Sequence, residues 1–327
     1  MAVLIGTDTV TSIARQAILP QLTDNVYNSN VLLHRLMRAN KRVIGGGTQI
    51  EVPQLFADFS TGGAYRGFEP LATTPQDTVK NLVFDWKQYY VSWAFDGLTL
   101  IKTDSADAIA NIMTLQSQQA YMRMAEVLAL GLFGDGITTG LGTKEIDGLR
   151  GAVGSATAGN VNYGGLSRTT NAWHSSNVVT SGVTLSFNGM RTQLIGPATY
   201  GGYHPTLLLS DQTIYNRHWL LHTSTTGYGS TMFRQPGGHD ELLASAGFTN
   251  LLFDNIPHVV DSHSPALHFF ALNENVLQWV VSPRGDFYME DFKKPTNQDG
   301  MVAMLLWAGN LVSQSSRLHS LYTQVTG

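Results

Sequence analysis

His258, Asp261, His263 and His268, in the run IPHVVDSHSPALH, are the densest group of side chains able to ligate a metal in this sequence of 327 residues. Imidazole and carboxylate suit zinc or a similar divalent ion. Their spacing does not: a strand would send residues 258 and 263 to opposite faces, and no helical spacing gathers all four. Carboxylates that could share acid and base work occur as Asp240 with Glu241 and as Glu290 with Asp291. Adjacent in sequence, with no basic partner or apolar pocket beside them, they do not form a pair with separated pKa values. The chain carries no G-x-S-x-G elbow, no P-loop, no G-x-G-x-x-G and no H-E-x-x-H. It has no cysteine, which excludes disulfides, thiolate nucleophiles and cysteine-held metals. No catalytic residue, cofactor or metal ligand is assigned, and the chain is not expected to be an enzyme.

Composition points elsewhere. Charged residues make up 13% of the chain and hydrophobic residues 43%, against roughly 25% charged in an ordinary globular protein. Interspersed charge keeps a monomer soluble, so its scarcity suggests a surface largely covered by other subunits. A β-rich protein kept soluble by Ser, Thr and Asn is the alternative. The formal net charge of −4 is too mild for a dedicated nucleic-acid-binding domain. The apolar runs from Val127 to Phe133 and Met301 to Trp307 are well short of the roughly 18 residues of a membrane span. The N-terminus lacks the basic-then-apolar layout of a signal peptide, so neither export nor anchoring is expected.

The elements divide the chain into five regions. Residues 1–44 read as an arm: a turn-rich lead-in, then Asn30 capping a helix VLLHRLMRA, with Arg35, Arg38, Lys41 and Arg42 clustered at its end. Those cations read as a solvated helix end that could also face phosphate. In 45–96, Gly45 to Gly47 break the helix and two alternating strands, Thr48 to Leu55 and about 78 to 95, flank a Gly-, Thr- and Pro-rich tip, which predicts an extended hairpin. Residues 97–144 hold a long helix capped by Thr103 or Asp104 and stopped by Gly131 and Gly134. Its apolar stripe of Ile109, Ile112, Met113, Ala120, Met124, Val127, Leu128 and Leu132 is core packing. Region 145–275 mixes helices (Thr184 to Ile195, His239 to Ala246) with strands (Thr206 to Leu209, Leu251 to Phe253) and a turn at Ser210 and Asp211. Region 276–327 alternates strands that would return to the domain of the long helix.

The most informative segment is Ile146 to Trp173, IDGLRGAV and then YGGLSRTTNAW. Tyr163, Leu166 and Trp173 are costly to leave in water, Gly164 and Gly165 permit positive φ, and Asn171 favours a turn, so the segment should be an ordered, packed loop. Arg168 has no acidic neighbour in sequence, so its guanidinium must find a partner across the fold or on another chain. This is a docking pattern more than a catalytic one.

On these residues the chain resembles the major capsid proteins of tailed bacteriophages, the family with the Hong Kong phage shell fold. "GGGTQIEVPQL" near 45, "YHPTLLLSDQTIYNRH" near 203 and "LLWAGNLVSQSSRLHSLYTQV" at the end match in the same order. The resemblance implies an α+β fold with an N-terminal arm (1–44), an extended hairpin lying over a neighbouring subunit (45–96), a peripheral domain with a spine helix (97–144), an axial domain (145–275) and strands returning to the peripheral domain (276–327). It implies a virion subunit assembled in the host cytoplasm into hexamers and pentamers of an icosahedral shell around double-stranded DNA. Its partners would be a portal, a separate scaffold and decoration proteins, with no membrane involved. Arg66 and Glu69 at the hairpin tip, Arg168 and Trp173 become candidate intersubunit contacts, and Tyr163, Gly164, Gly165 and Asn171 candidates for holding the loop's fold. Some members crosslink a Lys to an Asn between subunits; Lys80 is suitably placed on the hairpin, but no Glu and Asn partners stand out and no crosslink is expected. The competing readings are an encapsulin-like compartment, and a β-rich carbohydrate-binding protein or enzyme.

Overall fold

The computed structural model describes residues 30–71, 73–98, 106–136, 144–180, 182, 184–201, 203–226 and 251–325. The lead-in before residue 30, the cap at Thr103 or Asp104 and the helix expected from His239 to Ala246 lie outside them.

Helix α1 (Val31–Ala39) starts directly after Asn30. Its apolar residues Val31, Leu32, Leu33 and Leu36 are buried, because the helix packs on the long helix and on a central strand instead of lying free. Strand β1 (Lys41–Val43) follows, and β2 (Gln49–Leu55) and β3 (Val79–Asp85) pair antiparallel from Gln49↔Asp85 to Leu55↔Val79 as the hairpin. The single strand expected from about 78 to 95 is broken at Trp86. Before it β3 belongs to the hairpin; after it β4 (Lys87–Asp96) pairs with another sheet. A strand serving two sheets must change direction, and Gly46 and Gly47, at φ +89° and +102°, do so in the link between β1 and β2 opposite the break. The Trp86 indole donates to the Gly47 carbonyl at 3.0 Å and ties the two bends together.

Helix α2 (Ala106–Leu132) is the predicted long helix, with Ala120, Met124, Leu128 and Leu132 buried along one side. After it come the single turn α3 (Leu149–Ala152), the two-residue strands β5 (Asn162–Tyr163) and β6 (Leu166–Ser167), and β7 (Asn177–Val179). Helix α4 (Phe187–Gly201) begins and ends later than the expected Thr184 to Ile195. Strand β8 (Leu207–Ser210) leads into α5 (Gln212–Thr226), a helix the sequence reading did not contain. There Asp211 accepts from the Ile214 nitrogen, capping a helix where the sequence predicts only a turn.

The remaining strands are β9 (Leu251–Phe253), β10 (Ile256–Val260), β11 (Phe269–Leu272), β12 (Leu277–Val281), β13 (Tyr288–Met289), β14 (Gly300–Ser313) and β15 (Ser320–Tyr322). The fourteen-residue β14 organises a five-stranded sheet, pairing with β4, β12 and β13, while β1 runs parallel to β12. The second sheet has six strands in the order β7-β15-β11-β8-β10-β9. Strand β15 therefore joins the second sheet, whereas the sequence predicts that all of 276–327 returns to the domain of the long helix. All four residues of β8 are buried: Leu207 and Leu209 enter the large core shared with α1, α2 and the first sheet, and Leu208 enters a smaller core under α4 and α5. Burial on both faces explains why the strand reads as an unbroken apolar run. At the centre of the large core Trp279 and Trp307 stack at 4.7 Å.

Candidate assembly loop and hairpin

Each residue of IDGL has a local task where α2 ends. Ile146 is buried and its nitrogen donates to the Tyr89 hydroxyl at 3.1 Å. Asp147 faces Asn310, with Asn310 Nδ2 donating to Oδ2 at 2.8 Å and Asn310 Oδ1 accepting from the Asp147 nitrogen at 3.0 Å. Burial raises the pKa of this carboxyl, with Asn310 and Lys87 opposing the shift. Gly148 lies against the last carbonyls of α2, where a Cβ would stand 2.7 Å from the Leu132 oxygen. Only glycine permits that approach.

Arg168 is fully buried and has neutral partners throughout. Its guanidinium donates to the carbonyls of Gly151 (3.0 Å), Ala152 (2.8 Å), His174 (3.2 Å) and Asn160, and to the Ser316 hydroxyl (3.2 Å). It also faces the Tyr163 ring, 5.4 Å from the centroid. Gly151 and Ala152 end α3, so the cation meets the negative end of that turn. Burial pushes Arg168 down to about 10, which leaves it charged at neutral pH. This corrects the expectation of an intersubunit contact: the partners lie across the fold, and no part of Arg168 reaches the surface.

Tyr163 to Leu166 form a tight turn with Gly164 at φ +58° and Gly165 at φ +76°. A Cβ on Gly164 would stand 3.0 Å from Leu82 and Phe84 of the hairpin, whereas one on Gly165 would meet nothing within 4 Å. Buried Tyr163 packs edge-on to Phe84 at 5.1 Å and accepts at its hydroxyl from the Ser313 nitrogen at 2.9 Å. Its neighbour His174 is buried between Tyr163 and Trp173, its ring stacked on Tyr163 at 5.8 Å. Burial, with Arg168 adding to it, pushes His174 down to about 4.

Asn171 donates Nδ2 to the Ser167 carbonyl and the Thr170 hydroxyl, and accepts at Oδ1 from Lys80 Nζ at 2.9 Å. Half-buried Trp173, a candidate intersubunit contact in the sequence, stacks on Phe56 of its own hairpin at 5.7 Å. Arg66 and Glu69 are exposed at the tip, where the Arg66 main-chain nitrogen donates to Glu69 Oε2 at 3.1 Å. Around them Leu55, Phe59, Tyr65, Phe68 and Leu71 are exposed.

The other charged groups singled out in the sequence are dispersed. Arg35 makes a buried, two-pronged ion pair with Glu274, Lys41 pairs with Asp286 and Arg42 bonds Gln278. Docking of α1 thus takes Arg35 out of solvent, while Arg38, Lys41 and Arg42 stay exposed. His258 is buried against Ser210 and His218. Asp261 accepts from the nitrogens of Leu32 and His263, and His263 Nε2 lies 2.8 Å from Glu126. Asp261 and Glu126 together raise the His263 pKa. His268 bonds the Ala266 carbonyl. No group of three or more metal-ligating side chains occurs among the described residues. Sequence reasoning missed Asn310, whose signal was a lone amide inside the apolar run LLWAGNLV, and Glu274, which carried none.

No family model matches the chain, and no curated protein matches it in sequence. Solved structures do match, along nearly its whole length. It is similar to a chain of the Cyanophage A-1(L) capsid asymmetric unit at 17% identity and a TM-score of 0.72, covering 99% of this chain and 100% of that one. The capsid of Myoviridae Phage XM1 matches at 12% identity and a TM-score of 0.57, with 99% and 100% covered. The SrpI encapsulin complex from Synechococcus elongatus matches at 9% identity and a TM-score of 0.60, with 99% and 96% covered. The chain therefore has the α+β shell fold of these phage capsid subunits: docked arm helix, extended hairpin, spine helix and two sheet-centred halves.

Proposed function

We propose that this chain is the major capsid protein of a tailed bacteriophage, a structural subunit that assembles into hexamers and pentamers of an icosahedral shell around double-stranded DNA. The observation that carries the reading is the hairpin, which on a single protomer projects a tip bearing Phe59, Tyr65, Phe68 and Leu71 into water. Exposed aromatic surface on an unpaired two-stranded arm is an aggregation hazard unless another chain covers it. A receiving surface of the same character is the outer face of the five-stranded sheet, where Tyr90 and Tyr288 flank Leu306 and Met304 is also exposed. The peripheral half would comprise α2, β4 and β12 to β14, and the axial half the six-stranded sheet with α4 and α5. A portal, a separate scaffold and decoration proteins would be its partners in a virion assembled in the host cytoplasm. No helix among the described residues is long and apolar enough to cross a membrane.

Phe59→Ser with Phe68→Ser tests the role of the tip. Sedimentation should show a folded chain that no longer forms assemblies, and assemblies identical to those of the unaltered chain would count against the reading. The encapsulin likeness supports a second reading, a protein compartment that loads an enzyme. Nuclease-protected DNA inside purified particles favours the capsid, and a co-purifying enzyme favours the compartment.

A further inference from the structure

Lys80 joins the hairpin to the body of the protomer level with Gln54, its partner across the hairpin, and just short of Phe56, and the contact has two sides. Its ammonium donates to Asn171 Oδ1 at 2.9 Å and lies over the Phe56 ring, 4.9 Å from the centroid. Phe56 in turn stacks on Trp173. Asn171 is oriented for this in advance, since both bonds from Nδ2 go to its own loop and leave Oδ1 toward the hairpin. Nearer the root, the Val83 nitrogen donates to the Gly164 carbonyl at 3.0 Å and Leu82 and Phe84 close on Gly164, while level with Lys80 its cross-strand partner Gln54 donates to the Gln314 carbonyl at 2.7 Å. Beyond Phe56 hydrogen bonds run within the tip, from the Ser60 nitrogen to Gln76 and from Gln76 to Thr61.

We propose that Lys80, held between Asn171 and Phe56, is a releasable clasp that fixes the attitude of the hairpin, and that the 146–174 loop is the hairpin's bracket within one protomer. An amide and an aromatic face hold a cation more weakly than a buried carboxylate would. The clasp can therefore open without unfolding the loop, which Arg168 and Tyr163 hold independently of Lys80. Its consequence for assembly, one chain adopting more than one hairpin angle, rests on the shell reading; the clasp itself does not.

The absence of native cysteine makes a distance measurement direct. Asp58→Cys on the hairpin and Arg191→Cys on α4, both exposed, carry spin labels in the full chain diluted with unlabelled chain, and pulsed electron resonance reads the distance between them. The intact clasp should give one narrow distribution. Lys80→Met should broaden it by about twofold or more through loss of the cation–π contact and the charged hydrogen bond, while Lys80→Arg, which keeps both, should preserve it. An unchanged width in Lys80→Met would overturn the clasp. Micrographs of the same samples test the shell reading separately, because the label distance is defined whether or not the chain assembles.

Discussion

A guanidinium surrounded by five neutral oxygens cannot be replaced by another cation or by an apolar side chain without leaving acceptors unsatisfied. Arg168→Met should cost about 4 kcal/mol, the scale of several lost bonds to a charged donor, read as a lowered urea midpoint with an unchanged slope. The two turn glycines should differ. Gly165→Ala meets only the backbone cost of positive φ, about 1 kcal/mol, whereas Gly164→Ala adds the close approach to Leu82 and Phe84 and should cost more in the same assay. His174 gives the loop an acid limit. Its folded pKa of about 4 lies below the unfolded value near 6.5, so the unfolded chain binds the proton first. Stability is whole above the unfolded value and falls as pH drops toward 4, by about 3 kcal/mol for this group. His174→Phe, which keeps the stacking and removes the titrating ring, should shift acid unfolding to lower pH; an unmoved midpoint would show that the other buried histidines govern it. That Arg168 needed a distant partner was legible from its lack of an acidic neighbour. That the partners were carbonyls was not, because main-chain oxygens gathered by a turn leave no trace in residue type.

At the scale of elements, the arm helix is held by chemistry as well as by apolar packing. Arg35 and Glu274 lose most of their hydration on forming their ion pair, so Arg35→Met alone should cost about 3–5 kcal/mol by stranding a buried carboxylate. It should also open α1 to proteolysis. Arg35→Met combined with Glu274→Leu should recover much of that loss, and the double-mutant cycle measures the coupling. Elements with one strong period were readable from sequence: α1, the body of α2, and β2, where apolar residues alternate. Those whose boundaries depend on tertiary partners were not. The break at Trp86 exists because β3 and β4 serve different sheets, which alternation on either side cannot reveal. Helix α5 was hidden by Asp211, since the residue types that cap helices also make turns.

For the whole molecule, the proposed shell role would account together for the low charge seen in the sequence and the exposed aromatic tip seen in the structure, as a surface covered by copies of itself. Composition raised that expectation; which faces would meet did not follow, because the tip and the outer sheet face become candidates only once the fold separates them from the core. The most direct test is negative-stain electron microscopy of the purified chain with sedimentation velocity across a range of concentration and salt. Closed shells, rings or hexameric sheets are the predicted result. A folded chain that remains a monodisperse monomer under all of those conditions would contradict the account.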